Sequence, residues 1–157
     1  MSKYIGTKIV EAKPSCRLHG PGGSFWVSEE HVAEVPAWVA VEDGYEVRYA
    51  DGYTSWSPKK VFEEAYRPTD GLPFGLAIEA AKKGRKIQRA GWNGKGQYVE
   101  LATGISCTNA AGDIVNVKHE AIGNAALAFV GTSGVQIGWL ASQADMLADD
   151  WRIVDGL

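Results

Sequence analysis

A run of turn-forming residues near the middle of the chain constrains its fold more than any other feature. Residues 67–73 contain Pro68, Gly71 and Pro73, and closely spaced prolines and glycines interrupt both helices and strands. Because patterned segments lie on both sides, we expect a linker here. In a chain of 157 residues this predicts two small domains, at residues 1–68 and 73–157.

The segment before the linker predicts a β-hairpin followed by a short helix. Residues 45–49 alternate large apolar with charged side chains, and residues 53–56 continue in β-prone types after an Asp-Gly turn. Ser57 is a candidate helix cap and Pro58 a candidate first helical residue, in a helix that Pro68 would end.

The segment after the linker predicts one amphipathic helix and then a sheet. Apolar residues recur at helical spacing over residues 74–83, and Gly84 is placed to end the helix. Short β-prone runs separated by glycines follow, which is typical of tight antiparallel hairpins. These runs are residues 86–89, 97–102, 114–118, 125–130, 135–140 and 151–154. With a brief helix from a Ser142 cap to Leu147, the predicted class is α+β with the small antiparallel sheet dominant.

The net charge and composition of the chain argue against some classes of binding partner. The formal net charge of −3 and pI near 5.6 argue against a nucleic-acid polymer, whose binders usually carry a basic face. No apolar run approaches the roughly 20 residues that span a bilayer, and no signal peptide is evident, so we expect no membrane and a cytoplasmic location. Cys16 and Cys107 form no disulfide framework, and both are interpreted as buried or half-buried thiols.

Few residues offer catalytic or metal chemistry. Cys16, His19 and His31 supply at most three zinc ligands, whereas a structural zinc site normally has four. An acid–base set is conceivable, but no motif surrounds its members, and solvated surface residues are the favoured interpretation. The candidates for that set are Asp113, His119 and Glu120. We therefore expect no metal, no cofactor and no enzymatic activity.

Three aspartates gather near the end of the sequence. Asp145, Asp149 and Asp150 could hold a hard cation or accept hydrogen bonds from ribose hydroxyls. For Asp149 and Asp150 the favoured interpretation is that of solvent-exposed acids at a helix end or turn.

A glycine-rich loop over residues 89–96 is the first candidate for ligand recognition. Glycine allows backbone N–H groups to approach an anion, Trp92 offers a stacking face, and Arg89 or Lys95 could neutralise a phosphate. A nucleotide pocket is one interpretation. The other interpretation is a glycine-rich hairpin in which Trp92 packs as a buried hydrophobic residue, and composition alone favours this second interpretation.

A second candidate spans residues 138–147, at a predicted strand-to-helix junction. Ser142, Gln143 and Asp145 follow Trp139 and could read ribose hydroxyls or a base edge. The alternative is that Ser142 caps the helix, Trp139 and Leu147 pack, and the other side chains are solvated. Spacing alone favours this alternative.

Taken in order, these segments resemble the second family of Thoeris anti-defence proteins. The resemblance covers roughly residues 73–155 and rests on residues 74–86, 89–96 and 139–151, while residues 105–136 depart from the family pattern. It implies a small phage protein that binds glycocyclic ADP-ribose, the signal of bacterial TIR enzymes, without cleaving it. It also implies a homotetramer with pockets between protomers, in the cytoplasm of the bacterial host.

The resemblance also implies which residues contact the ligand. Trp92 and Trp139 would stack on or enclose the ligand, and Asn93 would be one of several polar residues that recognise it. The full set of expected ligand-binding residues is Phe74, Arg89, Trp92, Asn93, Lys95, Trp139, Ser142, Gln143 and Asp145.

Other functions stay open at this point. The protein could sequester cyclic dinucleotides or oligonucleotides, which some members of the resembled family bind at a separate site, or it could degrade such a signal. The N-terminal part resembles a small phage and prophage domain of unknown role. It could instead act as an adaptor through Trp26, Trp38 or Trp56, although tryptophans in so small a domain are more often core residues.

Overall fold

The computed structural model describes residues 2, 5–92, 96–116 and 125–154. The chain divides into two compact units, Met1–Arg67 and Pro68–Leu157, here called the N-terminal and C-terminal units. Both contain helices and antiparallel sheet, so the fold class is α+β, as expected. Among the helices of the described residues, none is long and apolar enough to cross a membrane.

A four-stranded antiparallel sheet forms the N-terminal unit. Its strand order is β2-β1-β3-β4. The strands are β1 (Glu11–Gly20), β2 (Gly23–Ser28), β3 (Ala40–Arg48) and β4 (Thr54–Pro58). A 3₁₀ helix over Glu29–Glu34 connects β2 to β3, and helix α1 (Lys59–Ala65) follows β4.

One face of this sheet carries the core of the N-terminal unit. Side chains alternate between the two faces of a strand, so Cys16 and Leu18 of β1 share a face with Val47 of β3, and all three are buried. Tyr45 lies on the same face and stacks on Phe62 of α1, with ring centroids 4.3 Å apart. Aromatic stacking therefore fixes α1 against the sheet.

The start of α1 differs from the prediction. The helix begins at Lys59, and Ser57 does not cap it. Ser57 is instead a residue of β4, paired with Tyr45, and the pairing of β3 with β4 continues to Pro58. The N-cap position is occupied by Pro58, which was predicted as the first helical residue and has no side chain that could cap. Ser57 therefore lies one residue too early in the chain, and both predictions are wrong.

The tryptophans of the N-terminal unit are not all core residues. Trp38, in the turn before β3, is 71% exposed, and Trp26 is 43% exposed because β2 is an edge strand. Trp56 is half-buried, and the Arg17 guanidinium lies 5.3 Å from the centre of its ring. The expectation of buried tryptophans is therefore wrong for Trp26 and Trp38.

The C-terminal unit contains a five-stranded antiparallel sheet in the order β10-β9-β6-β5-β11. Its strands are β5 (Ile87–Arg89), β6 (Tyr98–Thr103), β9 (Ala125–Gly131), β10 (Gly134–Ile137) and β11 (Trp151–Ile153). A separate two-stranded sheet pairs β7 (Cys107–Thr108) with β8 (Ile114–Val115). The helices are α2 (Phe74–Lys82) and α3 (Gln143–Met146).

Helix α2 supplies small residues to the core of this unit. Ala77, Ala80 and Ala81 are buried in one cluster with Ile87, Val99 and Trp151 of the sheet. The helix ends at Lys82, and two residues later Gly84 turns the chain with a φ of +81°, which glycine readily adopts. The Gly84 N–H donates to the Ala81 carbonyl, and the next N–H, of Arg85, donates to that of Ala80, which is a Schellman ending.

Two predicted details of the C-terminal unit need correction. The strand expected over residues 135–140 ends at Ile137, because Gly138 adopts a φ of +82° and turns the chain. Cys107 is an exposed residue of β7 and not a buried or half-buried thiol.

Of the strand expected over residues 114–118, only Ile114–Val115 form a strand, β8. Asn116 has a φ of +58° and lies beyond the end of β8, and residues 117–118 lie outside the described part of the chain.

Gly44→Ala should destabilise the N-terminal unit by about 1–3 kcal/mol, the usual cost of overpacking. A Cβ at this position would overlap the Trp56 ring and the carbonyl oxygen of Ser57. Urea unfolding measures the change. Gly22→Ala is the matched control, since no described heavy atom lies within 4 Å of its added Cβ, and equal stability of the two variants would contradict the packing described.

Candidate functional site

The two segments selected for ligand recognition meet in the C-terminal unit. The first follows β5 and the second connects β10 with β11. Because β5 and β11 are hydrogen-bonded neighbours, the sheet holds the end of one segment beside the end of the other. As a result, the ring centroids of Trp92 and Trp139 lie 6.0 Å apart.

These two rings belong to an aromatic cluster around Trp151, which is fully buried. Its ring centroid lies 5.4 Å from that of Trp92, 6.2 Å from that of Trp139 and 5.5 Å from that of Phe74. Phe129 of β9 contacts Trp92, with ring centroids 5.4 Å apart. The indole planes cross at 73–75°, an edge-to-face geometry that aromatic rings favour. Trp92 and Trp139 are half-buried, so each joins the core to the surface.

Backbone hydrogen bonds set the position of Trp139. After the turn at Gly138, the N–H groups of Gly138 and Trp139 both donate to the carbonyl of Leu127, at 3.0 and 2.9 Å. The strand β9 therefore anchors the segment on which this indole lies.

Arg89, at the end of β5, connects the same segments through ion pairs. Its Nε donates to Asp150 at 2.8 Å, and its Nη1 donates to Asp145 at 3.1 Å and to the carbonyl of Ala144 at 3.2 Å. The side chain is only 20% exposed, so solvent screens these bonds incompletely. The bonds to Asp150 and Asp145 raise the pKa of the guanidinium, which remains charged.

A capping box begins helix α3. The Ser142 hydroxyl accepts from the Asp145 N–H at 3.1 Å, and the Asp145 carboxylate accepts from the Ser142 N–H at 3.0 Å. The indole N–H of Trp151 donates to the Asp145 carbonyl at 2.9 Å. Burial alone would raise the pKa of the Asp145 carboxyl, but hydrogen bonds from Ser142, Arg89 and Trp92 outweigh it and lower that pKa.

Asp150 is not the solvent-exposed turn acid that was expected. It is half-buried, and the hydrogen bond from Arg89, helped by one from the Gly91 N–H, lowers the pKa of its carboxyl. Asp149, its neighbour in sequence, is exposed. The distinction could not be made from sequence because the partners of Asp150 lie about sixty residues away.

The contacts above connect most of the expected ligand-binding residues. Those connected are Phe74, Arg89, Trp92, Trp139, Ser142 and Asp145. Gln143 is the exposed first residue of α3, and Asn93 and Lys95 lie outside the described residues. Leu147, expected to pack, is 79% exposed because it follows a helix of a single turn.

Phe129 and Asp150 belong to this cluster but were not selected from the sequence as ligand-binding residues. Phe129 of β9 packs against the core of this unit, as Leu127 does two residues earlier. This alternation with a period of two residues is the sequence signal that could have identified Phe129. The residues next to Asp150 in the sequence do not distinguish it from Asp149.

The other candidate groups that the structure describes lie outside the aromatic cluster and have hydrogen-bond partners. In the described residues, no group of three or more histidine, cysteine or acidic side chains could hold a metal ion. Burial and the neighbouring Asp43 raise the pKa of the Cys16 thiol, which donates to Asp43 at 3.5 Å. Asp113 is exposed and bonded to Asn109 at 3.2 Å, and His119 and Glu120 lie outside the described residues. The rings of His19 and His31 hydrogen-bond to Ser24 and Ser28.

Comparison with known proteins places this site within a matched region. The family described as Thoeris anti-defense 2-like domain matches residues 72–154. A relative named Thoeris anti-defense 2, from Bacillus phage SP01, is 34% identical over 88 residues. That alignment covers 53% of this chain and 94% of the relative. The matched region includes the aromatic cluster, the ion pairs of Arg89 and the capping box.

The lowered pKa values of Asp145 and Asp150 predict acid sensitivity of the C-terminal unit. A carboxyl whose pKa is lowered on folding stabilises the fold above its unfolded pKa, and this contribution is lost as pH falls through the folded pKa. The free energy of unfolding should therefore decrease between about pH 5 and about pH 2. Urea titrations at several pH values measure it.

Asp145→Asn should flatten this pH dependence and destabilise the unit at neutral pH. Asp149→Asn removes the same charge from an exposed position and is the matched control. Wild-type acid dependence in Asp145→Asn would contradict the assigned role of the carboxylate.

Proposed function

Because the chain belongs to the Thoeris anti-defense 2-like domain family over residues 72–154, we propose that it is a phage protein that counteracts the Thoeris defence of its bacterial host. It does so by binding and sequestering a nucleotide-derived signal, glycocyclic ADP-ribose, without cleaving it. The observation that carries the proposal is the meeting of Trp92 and Trp139 beside the capped start of α3.

The arrangement suits a ligand with a base, ribose hydroxyls and phosphates. A half-buried indole gives a nucleobase a rigid stacking partner, and such stacking is typically worth about 1–3 kcal/mol per base. Gln143 is exposed at the start of α3 and offers both a donor and an acceptor to hydroxyl groups. Stacking and polar contacts are thus available from two segments that the fold already holds together.

The charges around Arg89 refine the assignment of roles. Its guanidinium is matched by the two carboxylates of Asp145 and Asp150. We therefore assign Arg89 to holding the two segments in place, and Lys95 to the neutralisation of a ligand phosphate. Ser142 and Asp145 likewise act by ordering α3, since each accepts and donates within the capping box or the ion pair.

Sequestration is favoured over cleavage by the chemistry beside the tryptophans. A general base works best with a pKa near the operating pH, whereas the carboxyls of Asp145 and Asp150 have lowered pKa values and accept from fixed donors. Tight binding needs only enclosure and a preorganised site. Rigid aromatic packing and carboxylates that are already hydrogen-bonded within the protein are compatible with enclosure and with a preorganised site.

The proposal includes a homotetramer in the host cytoplasm, with ligand pockets between protomers and cyclic dinucleotides as a second ligand class. Exposed apolar side chains in the C-terminal unit support self-association, because contact between protomers would remove their apolar surface from water. They include Val135 and Ile137 of β10 and Leu140 and Leu147 near α3.

Trp92→Ala and Trp139→Ala should each weaken binding of glycocyclic ADP-ribose by about 1–3 kcal/mol through lost stacking. Isothermal titration calorimetry measures the affinity, and a panel of cyclic dinucleotides tests selectivity. Trp92→Phe and Trp139→Phe retain an aromatic ring and should retain more of the affinity, which separates stacking from loss of folding.

Trp38→Ala provides the matched control, since Trp38 is an exposed tryptophan of the N-terminal unit. Its affinity should equal that of the wild type. Wild-type affinity in both Trp92→Ala and Trp139→Ala would contradict the proposed site.

A further inference from the structure

The carboxylate of Asp150 holds the chain segment that leads to Trp92. Its Oδ1 accepts from Arg89 Nε at 2.8 Å, and its Oδ2 accepts from the Gly91 N–H at 3.1 Å. The Asp150 backbone carbonyl accepts from the N–H of Ala90, between them, at 3.0 Å. Three consecutive residues are therefore bonded to one aspartate.

The chain turns directly after Gly91. The Trp92 N–H donates back to the Arg89 carbonyl at 3.4 Å, and Asp150 Oδ2 lies so near Gly91 that an added Cβ would be in van der Waals contact with it, at 3.4 Å. The direction in which the chain enters Trp92 is thus set by the contacts of Asp150. The next residue after Asp150 is Trp151, whose ring contacts that of Trp92 at 5.4 Å.

The same aspartate acts on the second recognition segment through Arg89. With Nε fixed by Asp150, the guanidinium places Nη1 within 3.1 Å of Asp145 Oδ1 and 3.2 Å of the Ala144 carbonyl. Both acceptors belong to α3. Loss of the Asp150 carboxylate would free Arg89 to rotate and would loosen the link between α3 and the Trp92 segment.

We propose that Asp150 is a positioning residue of the binding site, acting through Arg89 and Gly91 without touching the ligand. This inference rests on the proposed function. A site that is competent for only part of the time binds more weakly in proportion to that fraction. Asp150 raises the fraction of molecules in which Trp92 and α3 are correctly placed before the ligand arrives.

Asp150→Asn in the full-length protein tests this inference. Asparagine has nearly the same shape, but its amide group must face one of the two donors, Arg89 or Gly91. The association rate of glycocyclic ADP-ribose, followed by stopped-flow tryptophan fluorescence, should fall about tenfold, because fewer molecules are competent. The dissociation rate should change by less than about twofold, since no ligand contact is removed.

Asp149→Asn is the matched control, with the same change of charge at an exposed neighbouring position. It should leave both rates unchanged. An increased dissociation rate with an unchanged association rate in Asp150→Asn would overturn the inference, because it would mean that Asp150 contacts the ligand directly.

Hydrogen exchange without ligand separates this inference from the proposed function. Amides of residues 90–92 should exchange faster in Asp150→Asn than in the wild type or in Asp149→Asn. If the wild type binds neither glycocyclic ADP-ribose nor cyclic dinucleotides, the proposed function fails, whereas faster exchange would still support the positioning role. Unchanged exchange would overturn the positioning role whatever the binding result.

Discussion

The packing of indole rings around Trp151 is the interaction on which the C-terminal unit depends. Trp151 is buried between the sheet and α2, where its ring contacts those of Phe74, Trp92 and Trp139. The core that stabilises the unit therefore extends without interruption into two tryptophans that reach the surface. A binding site built on such rings is rigid before a ligand arrives, and rigidity of this kind lowers the entropic cost of binding.

The ion pairs of Arg89 fix how the two segments that carry Trp92 and Trp139 are arranged around that packing. Arg89 links Asp145 of α3 with Asp150 before β11, and the Asp150 carboxylate also accepts from Gly91. Breaking a partly buried ion pair leaves an uncompensated charge, so these residues favour one arrangement of the two recognition segments over alternatives. The same bonds lower the pKa values of both carboxyls, which makes them poor bases and effective anchors.

Local sequence signals predicted much of this unit. Helical spacing of apolar residues predicted the buried face of α2, and Ser142 caps α3 as predicted. Local signals could not predict long-range partners. Arg89 was a candidate for neutralising a ligand phosphate and Asp150 was interpreted as a solvated acid, although they bond to each other across 61 residues. The end of β10 was also misplaced, since a glycine turn inside an apolar run is visible only when its φ is known.

The most direct test of the account is whether the signal survives binding. The purified protein is mixed with glycocyclic ADP-ribose, the unbound fraction is separated, and the complex is heat-denatured before mass-resolved chromatography of both fractions. The account predicts depletion of the free signal and recovery of the intact molecule after denaturation. Depletion accompanied by a new product would contradict sequestration and identify an enzyme, and no depletion would contradict binding of this signal altogether.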